Sequence, residues 1–422
     1  MEIFNAYTES MVFALIVIFS YFFSYLSMKT KIPSVLLLIG LGIGMQALIL
    51  KYDIDLSMVV KNSLELLGII GLIIIILEAS LELKINREKK SVIIKTFLSA
   101  LLSLVLTTLG IAYLLTTFMI TDMVKAMFYA IPLAVVSSEI VIPGVTSLLQ
   151  KKKEFLVYES TFSGILGIMF FYVLLGSVEQ HNAAKIVLNV SGNIVVTLII
   201  SLVISYVLVW FLNWLKLSEK LFFLIAILVF LYSVGKMLNL SALLIILVFG
   251  LLLNNYSLFF RGKLSGLIRR NILQDIMEDF TVVTKETSFL IKTFFFVIFG
   301  MTLDFKDFYT IETVYIVAGS LLAIYIIRYF MLKSLLWKNI KPQLWIVPRG
   351  FISVLLFFSI PESMTDSGFN PIILLIIILA TSLFMFTGMI WRRYDSQEID
   401  KLSFEDWDQL DNEIRALTMK EK

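Results

Sequence analysis

Ile131-Pro132-Leu133-Ala134-Val135-Val136-Ser137-Ser138-Glu139-Ile140-Val141-Ile142-Pro143 is the stretch on which the reading of this chain turns. Two prolines bracket an apolar run that carries one carboxylate in its middle. Proline inside a helix removes a backbone donor and breaks the hydrogen-bond ladder. An ionisable side chain at the centre of a bilayer costs about 2.5–3.5 kcal/mol on insertion scales. Both features are tolerated at membrane depth only where the segment is buried in protein or lines a polar cavity. The apolar stretch around them, residues 123–149, is long enough to cross a hydrocarbon core of about 30 Å as a helix.

Runs of similar length recur along most of the 422 residues. Hydrophobic residues make up 59% of the chain and charged residues 16%, too few to coat a soluble domain of this size. Alternating strand-length segments are absent, which argues against a lipid-facing barrel and leaves helices as the spanning element. The expected fold is an all-α polytopic membrane protein of about 13 transmembrane helices. Their expected limits are 8–27, 32–50, 62–82, 93–117, 123–149, 153–177, 188–214, 219–236, 240–255, 284–303, 311–333, 343–360 and 370–391. The stretch 256–280 is too charged to span and reads as an amphipathic connector on the surface. Residues 1–393 thus form the transmembrane domain, and residues 394–422 an acidic cytoplasmic tail. In that tail Phe404, Trp407, Leu410, Ile414 and Leu417 recur at helical spacing, as in a short amphipathic helix docked on the protein or on a partner.

Met1 to Ser10 lack the basic lead and cleavage site of a removed signal, so the first run is expected to persist as a helix. The chain has no cysteine, which excludes disulfides and thiolate metal sites. The single histidine, His181, falls in a polar connection and reads as solvated. Basic residues decide orientation. With Met1 outside, the cytoplasmic connections collect Lys84, Arg87, Lys89, Lys90, the run Lys151-Lys152-Lys153, Arg269, Arg270, Arg392 and Arg393 among others, about 22 against 6 outside. The expected topology is N-terminus out, C-terminus in, in a cell (inner) membrane.

Two halves of the chain echo each other. The second span begins Pro33-Ser34-Val35-Leu36-Leu37 and ends Gly42-Ile43-Gly44; the ninth reads Leu240-Ser241-Ala242-Leu243-Leu244 and ends Gly250-Leu251-Leu252. The third closes on Ala79-Ser80-Leu81-Glu82-Leu83 and the tenth on Met301-Thr302-Leu303-Asp304-Phe305. The fifth carries Pro132 and Pro143, and the twelfth lies between Pro348 and Pro361. An offset of seven spans is odd, so the copies insert with opposite orientation. The repeats are about 8–177 and 219–391, joined by a linker helix at 188–214. Proline-broken helices at matching places in inverted repeats point to a binding site, although ordinary kinks would leave the same pattern.

Several ionisable groups lie inside these spans, each needing a reason. Glu139 lies midway along the fifth and Glu159 early in the sixth; Lys292, Arg328 and Arg349 are in the tenth, eleventh and twelfth. Glu139 reads as a carrier of a monovalent cation or a proton, with Ser137, Ser138, Thr161 and Ser163 offering oxygen ligands. Glu159 reads equally as a carrier or as half of a fixed ion pair, and Lys292 equally as a titrating base or a structural one. Arg328 and Arg349 do not release protons usefully and read as charge-compensating partners. Glu78 reads as a helix-end residue. No metal triad, nucleophile–base pair or phosphate loop is present, so an enzyme is not expected.

Taken together, Lys31-Ile32-Pro33-Ser34-Val35-Leu36-Leu37-Leu38, Leu77-Glu78-Ala79-Ser80-Leu81-Glu82-Leu83, Leu240-Ser241-Ala242-Leu243, Phe294-Phe295-Phe296-Val297-Ile298-Phe299-Gly300-Met301 and Pro348-Arg349-Gly350-Phe351-Ile352-Ser353 resemble the landmarks of the monovalent cation:proton antiporter superfamily. The resemblance implies a homodimer in the lipid bilayer, a mobile core in which the fifth and twelfth spans cross as broken helices, and exchange of Na⁺ or K⁺ for H⁺. These ions would be substrates; neither a cofactor nor a nucleic-acid partner is implied. Two departures bear on activity. The family's Thr-Asp-Pro of the crossing helix is here Ser138-Glu139-Ile140. The Glu-Ser anchor survives as Glu159-Ser160, but the usual ion-binding aspartate that follows it is Gly164. Glu139 has then taken over as carrier, or the chain is a transport-inactive variant, or it serves another task as a membrane scaffold or sensor.

Overall fold

The computed structural model describes residues 6–389 except 31–33, 52–56, 86–88, 147, 178–182, 215–219, 238–241, 261–269, 304–310, 337–339 and 367. It is helical, with no strand among the described residues. The helices are α1 (Ala6–Thr30), α2 (Ser34–Lys51), α3 (Ser57–Glu82), α4 (Lys90–Phe118), α5 (Met123–Ala134), α6 (Ser138–Gly144) and α7 (Gln150–Ser177). There follow α8 (Ala183–Trp214), α9 (Lys220–Met237), α10 (Ala242–Asn254), the single turn α11 (Tyr256–Phe259), α12 (Arg270–Met301), α13 (Ile311–Leu336), α14 (Phe351–Phe358) and α15 (Ile372–Met389). Among the described residues, six helical stretches, including Lys90–Phe118 and Ile311–Leu335, are by length and composition able to cross a bilayer.

The fifth span is where the two prolines act. Asp122 caps α5 by accepting a hydrogen bond from Val124 N (2.7 Å). The helix stops at Ala134, and Val135 to Ser137 run extended before α6 resumes at Ser138. The twelfth span is unwound further than its prolines suggest. Residues 346–350 have no regular secondary structure, and helix appears only as α14. The two unwound stretches lie against one another, Ser137 N donating to Pro348 O at 2.9 Å. Backbone donors freed by the breaks find side chains from neighbouring helices: Val136 N donates to Ser163 Oγ (3.0 Å) and Arg349 N to Thr381 Oγ1 (3.1 Å). A buried break is affordable in lipid only with such partners. At the crossing Gly350 is obligatory, since a Cβ there would come 2.5 Å from Ser137 Oγ.

Around this crossing α4 packs on α5, α7 and α13, while α12 packs on α2 and α3, and α3 on α10. The contact of α2 with α12 is backbone-close at Gly42 and Gly300, where a Cβ on Gly300 would meet Ile39 O at 2.3 Å; small residues let membrane helices approach in this way. α14 touches both groups, through α5 and α7 on one side and α3 and α12 on the other.

One expected boundary is corrected. Residues 270–280, read as part of a surface connector, belong to α12, which runs unbroken for 32 residues. Its first half is amphipathic, and a charged face does not end a helix whose other face is packed. His181 and the tail 394–422 lie outside the described residues.

Candidate functional site

Among the described residues the buried charges fall into three places. The first is a three-membered cluster. Lys292 of α12 sits 2.7 Å from Glu78 Oε2 of α3 and 3.0 Å from Glu139 Oε1 of α6. Ser288, one turn earlier on α12, donates to the same Glu78 oxygen at 2.6 Å. Lys292 is 15% exposed and the two glutamates 17% each. The contact to Glu139 is an ion pair without an aligned hydrogen bond, and Glu139 Oε1 has no hydrogen-bond partner. Glu139 also stands in the first turn of α6, where a carboxylate is favoured by the helix dipole. With all three groups ionised the cluster carries one surplus negative charge.

The second place is closed. Arg328 of α13 forks onto Glu159 of α7, NH1 to Oε1 at 3.0 Å and NH2 to Oε2 at 2.9 Å. Ser99 Oγ donates to Glu159 Oε1 at 2.5 Å, and Arg328 Nε donates to Gln343 O at 2.9 Å. The side chains are 3% and 4% exposed. Charge and hydrogen bonds balance within the pair. A cavity of about 10 Å³ beside it, lined in part by Ser103, Ser163 and Arg349, holds about one water and no more.

The third place is Arg349, which faces no carboxylate. Its guanidinium donates to Leu133 O (2.8 Å), Ala134 O (3.2 Å) and Val347 O (2.6 Å). The first two are carbonyls at the end of α5, so this cation neutralises the negative end of a broken helix. It pins the crossing.

The residues proposed from sequence are therefore distributed over these places. Glu139 and Lys292 come together. Glu159 is paired with Arg328 in a bidentate fork. Ser163 is spent on Val136 N, Thr161 Oγ1 donates to Val157 O at 2.8 Å within its own helix, and Ser137 Oγ has no partner. Gly164 faces α14, and a Cβ there would meet Ile352 Cδ1 at 2.7 Å. Among the described residues outside its own helix, the only atom within 4 Å of that Cβ position is this apolar one. Glu78, read from the sequence only as a helix-end residue, is a member of the cluster. Among the described residues no three His, Cys, Asp or Glu side chains stand together as a metal site.

A helical membrane protein with two unwound, crossing segments and a charged cluster beside them is a secondary transporter of the broken-helix class. Within that class the chain belongs to the sodium/hydrogen exchanger family, whose transmembrane profile matches residues 13–392. Its fold is similar to that of the sodium/proton antiporter MjNhaP1 from Methanocaldococcus jannaschii at pH 8, with 20% identity, 90% of this chain and 95% of that one covered, and a TM-score of 0.69. A second structure of MjNhaP1, from an electron-microscopy map, matches with 18% identity, coverage of 92% and 96%, and a TM-score of 0.61. No curated protein matches significantly by sequence.

Proposed function

We propose that the chain exchanges Na⁺ or K⁺ for H⁺ at the cluster of Glu78, Lys292 and Glu139. One observation carries this reading: two carboxylates share one ammonium inside the membrane domain. A surplus negative charge in a low-dielectric setting demands a positive partner. A proton on a carboxyl group or a monovalent cation between carboxylate oxygens satisfies that demand equally, and the two exclude each other. Competition for one charge is the essence of antiport. Lys292 stays charged through the cycle and holds the two acids in place. Because one positive charge replaces another, the site itself supports electroneutral exchange.

Around this centre we place the chain in a cell membrane with the N-terminus outside and the C-terminus inside, as a homodimer, in keeping with the distribution of Lys and Arg and with the family. The tail 394–422 is free to take a partner under this topology. The natural absence of cysteine makes orientation easy to test, because single introduced cysteines can be labelled from one face. For exchange itself, purified protein in liposomes loaded with a pH-sensitive dye is given Na⁺, K⁺ or Li⁺. Proton flux that needs the cation and disappears in Glu78→Gln supports the reading. Absence of flux with every cation across the pH range would rule it out and leave a transport-inactive chain.

A further inference from the structure

Lys285, Ser288, Lys292, Phe295 and Phe299 recur at spacings of three and four along α12 and so share one face of that helix. The stripe changes character at Lys292. Toward the helix C-terminus it is aromatic: Phe295 packs edge-on against Phe351 (5.2 Å) and Phe358 (5.8 Å), and Phe299 against Phe358 (5.8 Å). Phe295, Phe299 and Phe351 are fully buried, so this end is filled by rings packed edge to face. Toward the N-terminus the stripe is polar and ends at the exposed Lys285, roughly 10 Å along the axis from Lys292.

α3 supplies the opposite wall. Glu82 follows Glu78 by one turn, on the same face and roughly 6 Å nearer the helix end. It is half-buried, yet its carboxylate has neither an ion pair within 4.0 Å nor a hydrogen bond among the described residues. It lies within electrostatic reach of Glu78, Lys285, Lys292 and Glu139. Beyond the buried Leu83, Lys84 and Ile85 are exposed. An unpaired carboxylate between water and the cluster has no evident structural duty, since it clamps nothing.

We propose that Glu82 is the outer station of the access route at the α3 C-terminal face, concentrating monovalent cations and protons there and passing them to Glu78, with Lys285 as the opposing charge that keeps the affinity of this station low. This deepens the exchange site proposed above and rests on it. A charge at the mouth of a narrow polar route raises the local concentration of every small cation. Protons and metal cations gain alike, so the direction of exchange is unbiased. The effect is confined to one face, because the ring cluster closes the other.

The test is the apparent KM for the transported cation, measured separately at each face in oriented proteoliposomes. Glu82→Gln raises KM at the α3 C-terminal face by roughly tenfold at low ionic strength, leaves the maximal rate in place, and leaves KM at the other face unchanged. Glu82→Asp restores the wild-type value, and Lys285→Gln lowers KM at the same face. Equal shifts at both faces, no shift at either, or a lost maximal rate with unchanged KM would overturn the proposal. Glu139→Gln, run alongside, separates the two readings. Full exchange in Glu139→Gln would sink the site itself, whereas a silent Glu139→Gln with wild-type KM in Glu82→Gln would sink the access route alone.

Discussion

Two buried clusters of acid and base lie in this protein, and they are built to opposite ends. The pair Glu159–Arg328 is one acid to one base, 3% and 4% exposed, with a bidentate fork and further bonds from Ser99 and to Gln343. The cluster Glu78–Lys292–Glu139 is two acids to one base, several-fold more exposed, with one oxygen of Glu139 left without a hydrogen bond. The first has no use for a further positive charge. The second is incomplete without one. A closed pair is suited to pinning helices, and an unbalanced one to the ion binding proposed for it; the difference is stoichiometry and access more than residue type.

The largest expected effect comes from breaking the closed pair. Arg328→Met leaves Glu159 charged and buried and should lower stability by about 3–5 kcal/mol, read as thermal unfolding in detergent. Glu159→Gln combined with Arg328→Met should recover most of that loss, as expected of a structural pair. If instead the single variant unfolds like wild type but loses transport, the pair is part of the ion route and the contrast collapses. Next in size is Lys292→Gln. Here one carboxyl group can take up a proton in place of the lost base, so the cost should be smaller, about 2 kcal/mol. Proton-coupled flux should fall sharply, because the two acids lose the group that holds them together. The smallest effect on flux is expected from Gly164→Asp. Ile352 Cδ1 must move aside and the new carboxyl group is buried without a partner, which costs stability, but flux should not rise. A gain of flux there would shift the binding site back to α7 and away from the cluster.

The sequence alone was informative where composition conflicts with the membrane. Glu139 stands out because a carboxylate between two prolines has no place in an ordinary span, and both breaks were readable from Pro132, Pro143 and Pro348. The reach of the second break was not, since the unwound residues 346–350 are held by partners from other spans, Ser137 and Thr381. Glu78 was misread for a similar reason. Four residues from the end of an apolar run, it looks like a solvated helix end, and only the approach of α12 brings Lys292 and Ser288 to it. Glu159 was undecided because a fixed pair and a carrier are identical until the partner is known. The helical extension of α12 was hidden by charge, which tells of a wet face and not of a chain break.

The surplus charge is most directly tested by counting protons. Purified protein in detergent at weak buffering is titrated with Na⁺ or K⁺, and the protons released are measured. About one proton should leave per cation bound, since the cluster holds a single surplus charge, and Glu139→Gln should release none. Cation binding without proton release, or undiminished release from Glu139→Gln, would contradict the assignment of exchange to Glu78, Lys292 and Glu139.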